Sequence, residues 1–181
     1  MTAFRAAALV AIVALTGCGE DQDQTSITLL SREMSYDRSY FTFYPLMAEV
    51  HNSPFDGVSE TDVAAMLRMP PSYADAGAFA LSAPGETPRP KVRLALAFNS
   101  RAPVSAKALC RAAAALGAAT PLDDSSFMVD VALCRDDDVI ASASMTAKAG
   151  KARDPAFAAR SLNHLMLIAF GNNAERDQWE R

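Results

Sequence analysis

The chain has 181 residues, 50% of them hydrophobic and 21% charged, and its formal net charge at pH 7 is −4. A mildly acidic chain does not favour binding to phosphate backbones, so the composition argues against nucleic acid as a partner. The length suits a single globular domain. A domain of this size buries enough surface to fold without a metal or a framework of disulfides.

The first 17 residues have the pattern of a secretion signal. Arg5 supplies a positive charge, and residues 6–15 form an uninterrupted apolar stretch. Such a stretch is too short to cross a bilayer, which takes about 20 residues, but it suits the hydrophobic region of a signal peptide. We therefore predict a signal peptide over residues 1–17.

The end of this stretch reads Leu15-Thr16-Gly17-Cys18, which resembles the lipobox of bacterial lipoproteins. In that family the cysteine thiol receives a diacylglyceryl group, the chain is cut just before the cysteine, and the new amino terminus is usually acylated. The resemblance implies that Cys18 is the lipidation site and that its lipid holds the protein at a membrane, since two or more chains anchor stably. A plain signal peptide with a chance cysteine is the alternative.

The residues after Cys18 bear on the location and the organisation of the mature chain. Gly19 stands where an aspartate tends to mean retention in the inner membrane of Gram-negative bacteria. The resemblance therefore implies an outer-membrane protein that faces the periplasm. Because residues 20–26 carry no apolar side chain, we predict a lipidated cysteine and flexible tether over residues 18–35. We predict that the rest of the chain forms a single domain over residues 36–170 and a polar tail over residues 171–181.

An aromatic segment follows the predicted tether. Tyr36, Tyr40 and Tyr44 recur every four residues, and Phe41 and Phe43 lie among them. Tyrosine combines an apolar ring with a hydroxyl group and is enriched at binding interfaces. The three tyrosines are therefore the candidate binding residues. The alternative is that the segment supplies core and edge aromatics to the first strand.

Capping signals predict three helices. Ser59 and Asp62 have the spacing of a capping box, and the prolines at 70–71 stop the helix that they begin. A second, alanine-rich helix is predicted to begin at Ser105 and to end at Gly117. The third begins at Asp154, with proline next, and ends near residue 171.

Alternating apolar residues predict the strands. The predicted extended segments cover residues 39–44, 46–50, 78–81, 92–98, 127–133 and 139–145. The last two are joined by a polar turn. Together with the helices they predict an α+β fold, in which a small, mostly antiparallel sheet has the helices packed on one face as a two-layer sandwich.

Two cysteines remain in the predicted domain, Cys110 and Cys134. An even pair in an oxidising compartment is predicted to form a disulfide. Cys134, however, alternates with Asp130 and away from the face of Phe127, which leaves two separate buried thiols as the alternative. The chain has no C-x-x-C spacing that would favour a redox or metal role.

No sequence motif for catalysis, metal binding or phosphate binding occurs, so we predict no catalytic residue, metal or cofactor. His164 is predicted to be a core or boundary residue, because it lies seven positions from Phe157 on the same helix face, and His51 is predicted to lie in a solvated turn. The acidic run 136–138 lacks the glycine of a calcium loop and is predicted to be a hairpin tip.

These features predict a non-enzymatic, lipid-anchored envelope protein. Its domain would bind a partner such as an assembly component, a secretion component or a cell-wall polymer, besides the membrane contact through Cys18. The alternative is a small periplasmic hydrolase or transferase with a site built from scattered carboxylates and serines.

Overall fold

The structure is a computed structural model. The structure describes residues 24–32, 46–55, 57–76, 79–82, 88–98, 104–111, 116, 126–148 and 154–171. The predicted signal peptide, Cys18 and the candidate binding residues Tyr36, Tyr40 and Tyr44 lie outside the described residues, as do the predicted strand at 39–44 and the tail beyond residue 171.

Six strands form one mixed sheet. They are β1 (Gln24–Arg32), β2 (Met47–His51), β3 (Ala80–Leu81), β4 (Val92–Phe98), β5 (Ser126–Arg135) and β6 (Asp138–Lys148). Their order across the sheet is β1-β6-β5-β4-β2-β3. The pairs from β1 to β4 are antiparallel, whereas β2 runs parallel to both β4 and β3. The predicted α+β class with a mostly antiparallel sheet is confirmed.

Three α-helices and one 3-10 helix complete the described fold. The helices are α1 (Glu60–Met66), α2 (Ala106–Arg111) and α3 (Pro155–Phe170), and the 3-10 helix covers Pro71–Ala76. At the start of α1, the Ser59 hydroxyl accepts from the backbone N–H of Asp62, whose carboxylate accepts in turn from the Ser59 N–H. The Asp154 carboxylate accepts from the first N–H groups of α3. The predicted helix starts are therefore confirmed.

The larger core lies between one face of the sheet and the helices α1 and α3. Alternate residues of the two central strands supply its centre: Val92, Leu94, Leu96, Phe98, Phe127, Val129, Val131 and Leu133. Phe55 packs edge-to-face on both Phe98 and Phe127, with ring centroids 5.6 and 5.4 Å apart. This is the apolar face that the alternation in the sequence predicts.

The opposite face of the sheet is covered by α2. Its Leu109 and Cys110 pack on the small side chains of Ala95, Ala97 and Ala132. The prediction placed this helix on the same face as α3, and in that detail it is wrong. Alanines on the second face of β4 and β5 leave room for a helix, so all seven residues of β4 are buried instead of every second one.

The strand β1 lies inside the segment predicted to be a tether. Gln24–Arg32 pairs antiparallel with β6, with a bulge between Leu29 and Ser31. The tether prediction for residues 18–35 is therefore wrong over the residues of β1. It rested on the lack of apolar side chains at 20–26, but an edge strand is stabilised by backbone hydrogen bonds to its neighbour, which polar residues form equally well.

Candidate functional site

Four ionisable side chains form what we call the charged cluster, on the face of the sheet that α2 covers. Glu49 and His51 project from β2, Arg93 from β4, and Arg89 lies three residues before β4. Glu49 is 0% exposed and Arg93 1%, and His51 is also buried. Buried charges of this kind require partners, since an isolated one is strongly disfavoured.

The Glu49 carboxylate is the centre of the charged cluster. Its Oε1 accepts from Arg89 Nη2 at 2.7 Å and forms a hydrogen bond with His51 Nε2 at 3.1 Å. Its Oε2 accepts from Arg89 Nη2 at 2.9 Å and from Arg93 Nε at 3.1 Å. Each oxygen therefore has two hydrogen-bond partners.

These contacts decide the protonation state of the charged cluster. Burial alone raises the pKa of Glu49, but hydrogen bonds from His51 and Arg89 together with the charge of Arg89 hold it below its ordinary value. Burial, and then the charge of Arg89, lower the pKa of Arg93, while Glu49 opposes both. A guanidinium nevertheless keeps its proton in proteins. The carboxylate is ionised, buried and saturated with donors, so its chemistry is suited to positioning side chains and not to proton transfer with a substrate.

The charged cluster is joined to the disulfide through one backbone carbonyl. The carbonyl of Cys110 accepts from Arg89 Nη1 at 3.1 Å and also from Arg93 Nη2. Cys110 is bonded to Cys134, with their Cα atoms 5.4 Å apart. The predicted disulfide is confirmed. The orientation of Cys134 that counted against it is explained, because α2 lies on the face toward which Cys134 points.

The cluster also holds the β5–β6 hairpin. Arg93 Nη1 donates to the carbonyl of Asp136 at 2.8 Å, and the backbone N–H of Asp136 donates to the carbonyl of Lys91 at 2.7 Å. The charged cluster and the disulfide thus connect β2, β4, the hairpin and α2. Asp136, Asp137 and Asp138 are exposed at the tip, as predicted.

Most of this cluster was not predicted from the sequence. His51 was predicted to lie in a solvated turn, and this is wrong, since it is buried at the end of β2 beside Glu49. The available signal was the alternation of Glu49 and His51 with apolar neighbours, but its significance depends on the parallel pairing of β2 with β4, which local patterns do not reveal. His164 is partly buried, and burial lowers its pKa, in agreement with the predicted boundary position.

A second buried carboxylate lies on the same face of the sheet. Asp130 in β5 is 5% exposed, and its Oδ2 accepts from the backbone N–H of Val104 at 2.9 Å. Its Oδ1 has no hydrogen-bond partner within the described part of the chain. Among the described residues, no group of three or more His, Cys, Asp or Glu side chains is arranged to hold a metal ion.

Among the described residues, the exposed large hydrophobic side chains lie on β1. Leu29 is 38% exposed and Leu30 is 55% exposed, and both lie on the edge strand beside the bulge. No helix among the described residues has the length and apolar character needed to cross a membrane. No protein-family model matches the chain, and neither a curated protein nor a solved structure matches it significantly.

Proposed function

We propose that this protein is a lipid-anchored protein of the bacterial envelope, facing the periplasm, whose domain is a non-enzymatic binding or assembly module. The observation that carries the anchor is the lipobox-like sequence Leu15-Thr16-Gly17-Cys18 at the end of a charged and apolar segment. The absence of an aspartate after Cys18 favours the outer membrane.

The disulfide supports the proposed location independently. The Cys110–Cys134 bond lies in a domain of ordinary size, where it is not needed to replace a hydrophobic core. Structural disulfides persist in oxidising compartments such as the periplasm and are rare in the cytosol. The predicted signal peptide and the disulfide of the folded domain therefore both favour the periplasmic side of the inner membrane.

The charged cluster supports a non-enzymatic domain. Its carboxylate is buried and bonded to three side chains, and its guanidinium groups bind backbone carbonyls on two other elements. These are the contacts of a structural connection. The exposed leucines of β1 and the tyrosines at 36, 40 and 44 are then the residues we propose for binding.

Metabolic labelling tests the anchor. Full-length protein expressed in a Gram-negative host should incorporate radiolabelled palmitate and partition into the detergent phase. Cys18→Ser should abolish the labelling, because it removes the atom that carries the lipid. The matched control is Cys134→Ser, which also removes one cysteine and should still be labelled. A wild-type chain without label, or equal labelling of the Cys18→Ser chain, would contradict the proposal.

Crosslinking in the native envelope tests the binding role. The double variant Tyr40→Ala, Tyr44→Ala should lose most of any partner recovered with the wild-type chain, because it removes two of the rings that we propose for the contact. The control is Tyr40→Phe with Tyr44→Phe, which keeps both rings. Undiminished recovery from the alanine variant, with an unchanged circular dichroism spectrum, would remove these tyrosines from the binding site.

A further inference from the structure

We infer that the Cys110–Cys134 disulfide is a redox switch that controls the docking of α2 on the sheet. Reduction of the disulfide releases α2 and opens the charged cluster, while the larger core stays folded. The inference goes beyond the proposed function, and it depends neither on lipidation nor on a binding partner.

The face of the sheet under α2 has a small hydrophobic core. Among the described residues, its buried side chains are three alanines, one leucine and the two cysteines, a set that we call the smaller core: Ala95, Ala97, Ala132, Leu109, Cys110 and Cys134. Apolar stabilisation scales with the area removed from water, and an alanine side chain contributes little area. The disulfide is therefore a large part of the smaller core.

The helix α2 cannot hold its position through its own stability. It has six residues, and isolated helices shorter than about 12 residues are marginal in water. The Ser105 hydroxyl accepts from the backbone N–H of Ala108 at 3.2 Å, which is a contact within the segment itself. The N–H of Val104, which donates to Asp130 Oδ2 at 2.9 Å, joins the segment to β5. A single hydrogen bond contributes modestly to stability and does not replace the covalent link to β5.

Cys110 is the half of the disulfide that can move. Cys134 lies in β5, which pairs with β4 on one side and with β6 on the other. A strand held by two neighbours stays in place when one side-chain contact is lost. Opening of the disulfide therefore moves Cys110 together with α2 and leaves Cys134 in the sheet.

The same residue connects the disulfide to the charged cluster. The carbonyl of Cys110 accepts from Arg89 Nη1 and from Arg93 Nη2. When Cys110 moves, both guanidinium groups lose this acceptor, and water reaches the buried side of Arg93. Both arginines bind Glu49, which forms a hydrogen bond with His51. The surroundings of His51 therefore depend on the redox state of the disulfide.

The reaction is thiol–disulfide exchange with a dithiol, such as the active-site pair of an envelope oxidoreductase. One thiolate of the dithiol attacks a sulfur of the disulfide and forms a mixed disulfide, which the second thiol then resolves. The dithiol becomes a disulfide, and Cys110 and Cys134 each end as a thiol, so two electrons and two protons pass to the protein. Both cysteines are 0% exposed, so the exchange requires local opening of α2.

The rate of reduction tests whether opening of α2 controls access to the disulfide. Leu109→Ala removes the leucine of the smaller core and should speed reduction by dithiothreitol on the order of tenfold under native conditions. The matched control is Lys107→Ala, an exposed position of the same helix, which should stay within about twofold of the wild-type rate. Equal rates for the two variants would contradict gating by α2.

Hydrogen exchange with mass spectrometry tests the release of α2 itself. The full-length chain in a Cys18→Ser background has these two cysteines alone, so its redox state is defined and lipidation plays no part. In dithiothreitol, residues 104–111 should exchange at short labelling times like an unfolded peptide, whereas β4, β6 and α3 should keep their protection. Reoxidation should restore the protection of residues 104–111.

Nuclear magnetic resonance of the histidines tests the connection to the charged cluster. The chain has two histidines, His51 in the charged cluster and His164 on α3, so an untagged protein gives two sets of imidazole signals. Reduction should shift the signals of His51 and leave those of His164 in place, which makes His164 an internal control.

Three results would overturn the inference. Unchanged protection of residues 104–111 in the reduced protein would show that α2 stays docked without the disulfide. Equal loss of protection in β6 and α3 would show that the disulfide holds the whole fold. Unchanged His51 signals after reduction would show that the charged cluster does not respond to the disulfide.

Discussion

At the residue scale, Glu49 shows how this domain accommodates a charge inside its sheet. The carboxylate is fully buried, yet it forms hydrogen bonds with three side chains. Removing one partner of a buried ion pair typically costs about 3 to 5 kcal/mol, because the remaining charge is left uncompensated. Arg93 would be that remaining charge, since it is 1% exposed.

We therefore expect Glu49→Gln to lower the free energy of unfolding by about 3 kcal/mol at pH 7. Urea denaturation followed by circular dichroism measures the change. The control is Glu60→Gln, an exposed glutamate at the start of α1, which should change the free energy by about 0.5 kcal/mol or less. An effect of Glu49→Gln no larger than that of the control would show that the charged cluster contributes nothing to stability.

The pH dependence of stability in wild type and Glu49→Gln tests whether Glu49 is ionised in the folded protein. The folded pKa of Glu49 lies below its ordinary value of 4.5. Its contribution is therefore present above that ordinary value and is lost as the pH falls through the folded pKa. The difference in stability between wild type and Glu49→Gln should be largest near neutral pH and should narrow below pH 4.5. A difference that stayed constant from neutral pH into the acid range below that value would contradict the assigned ionisation.

At the element scale, α2 depends on contacts outside itself. An isolated helix of this length does not form stably in water. The structure supplies three supports: the packing of Leu109, the disulfide of Cys110, and the two guanidinium groups on the Cys110 carbonyl. The disulfide is thus part of what holds α2 on the second face of the sheet.

We expect the double variant Cys110→Ala, Cys134→Ala to lose about 3 kcal/mol of stability, as the loop-entropy relation gives for two cysteines with a sequence separation of 24. Thermal and urea unfolding measure the loss. Wild-type protein unfolded in excess dithiol reductant is the control, and it should match the variant closely. Equal stability of the variant and the oxidised wild type would show that the bond is not required to hold α2.

Local sequence signals predicted where helices and strands occur in the chain better than they predicted how these elements pack on the sheet. The caps at Ser59 and Asp154 and the alternation in β4, β5 and β6 act over a few residues, and the structure agrees with them. The face on which α2 lies depends instead on Ala95, Ala97 and Ala132, which leave space on the second side of the sheet. Small side chains carry no strong preference in a single sequence, so this face was not predictable from alternation.

The charged cluster could not be predicted from the sequence for a related reason. Glu49, Arg89 and Arg93 come together because β2 and β4 are parallel neighbours, although Glu49 and Arg93 are 44 residues apart in the chain. Charged residues on strands are ordinarily solvent-exposed, so the local pattern gave no reason to predict that these three are buried. Only the strand order identifies them as partners.

At the scale of the whole molecule, the proposed anchor and the described fold fit together. The lipidated residue would be Cys18, and β1 begins at Gln24. The intervening peptide units extend at most about 20 Å. A chain anchored through Cys18 would therefore hold the β1 edge close to the membrane surface. A tether from Cys18 would then be shorter than the predicted 18–35, because β1 already begins at Gln24.

We propose that Cys18 carries the lipid of the mature protein, and mass spectrometry of the amino-terminal peptide tests this proposal at the modified atom itself. Protein extracted from the membrane fraction should yield a peptide that begins at Cys18 and carries a diacylglyceryl group on its sulfur. A peptide that runs unbroken through Gly17-Cys18, or one that begins elsewhere with an unmodified Cys18 thiol, would contradict the account.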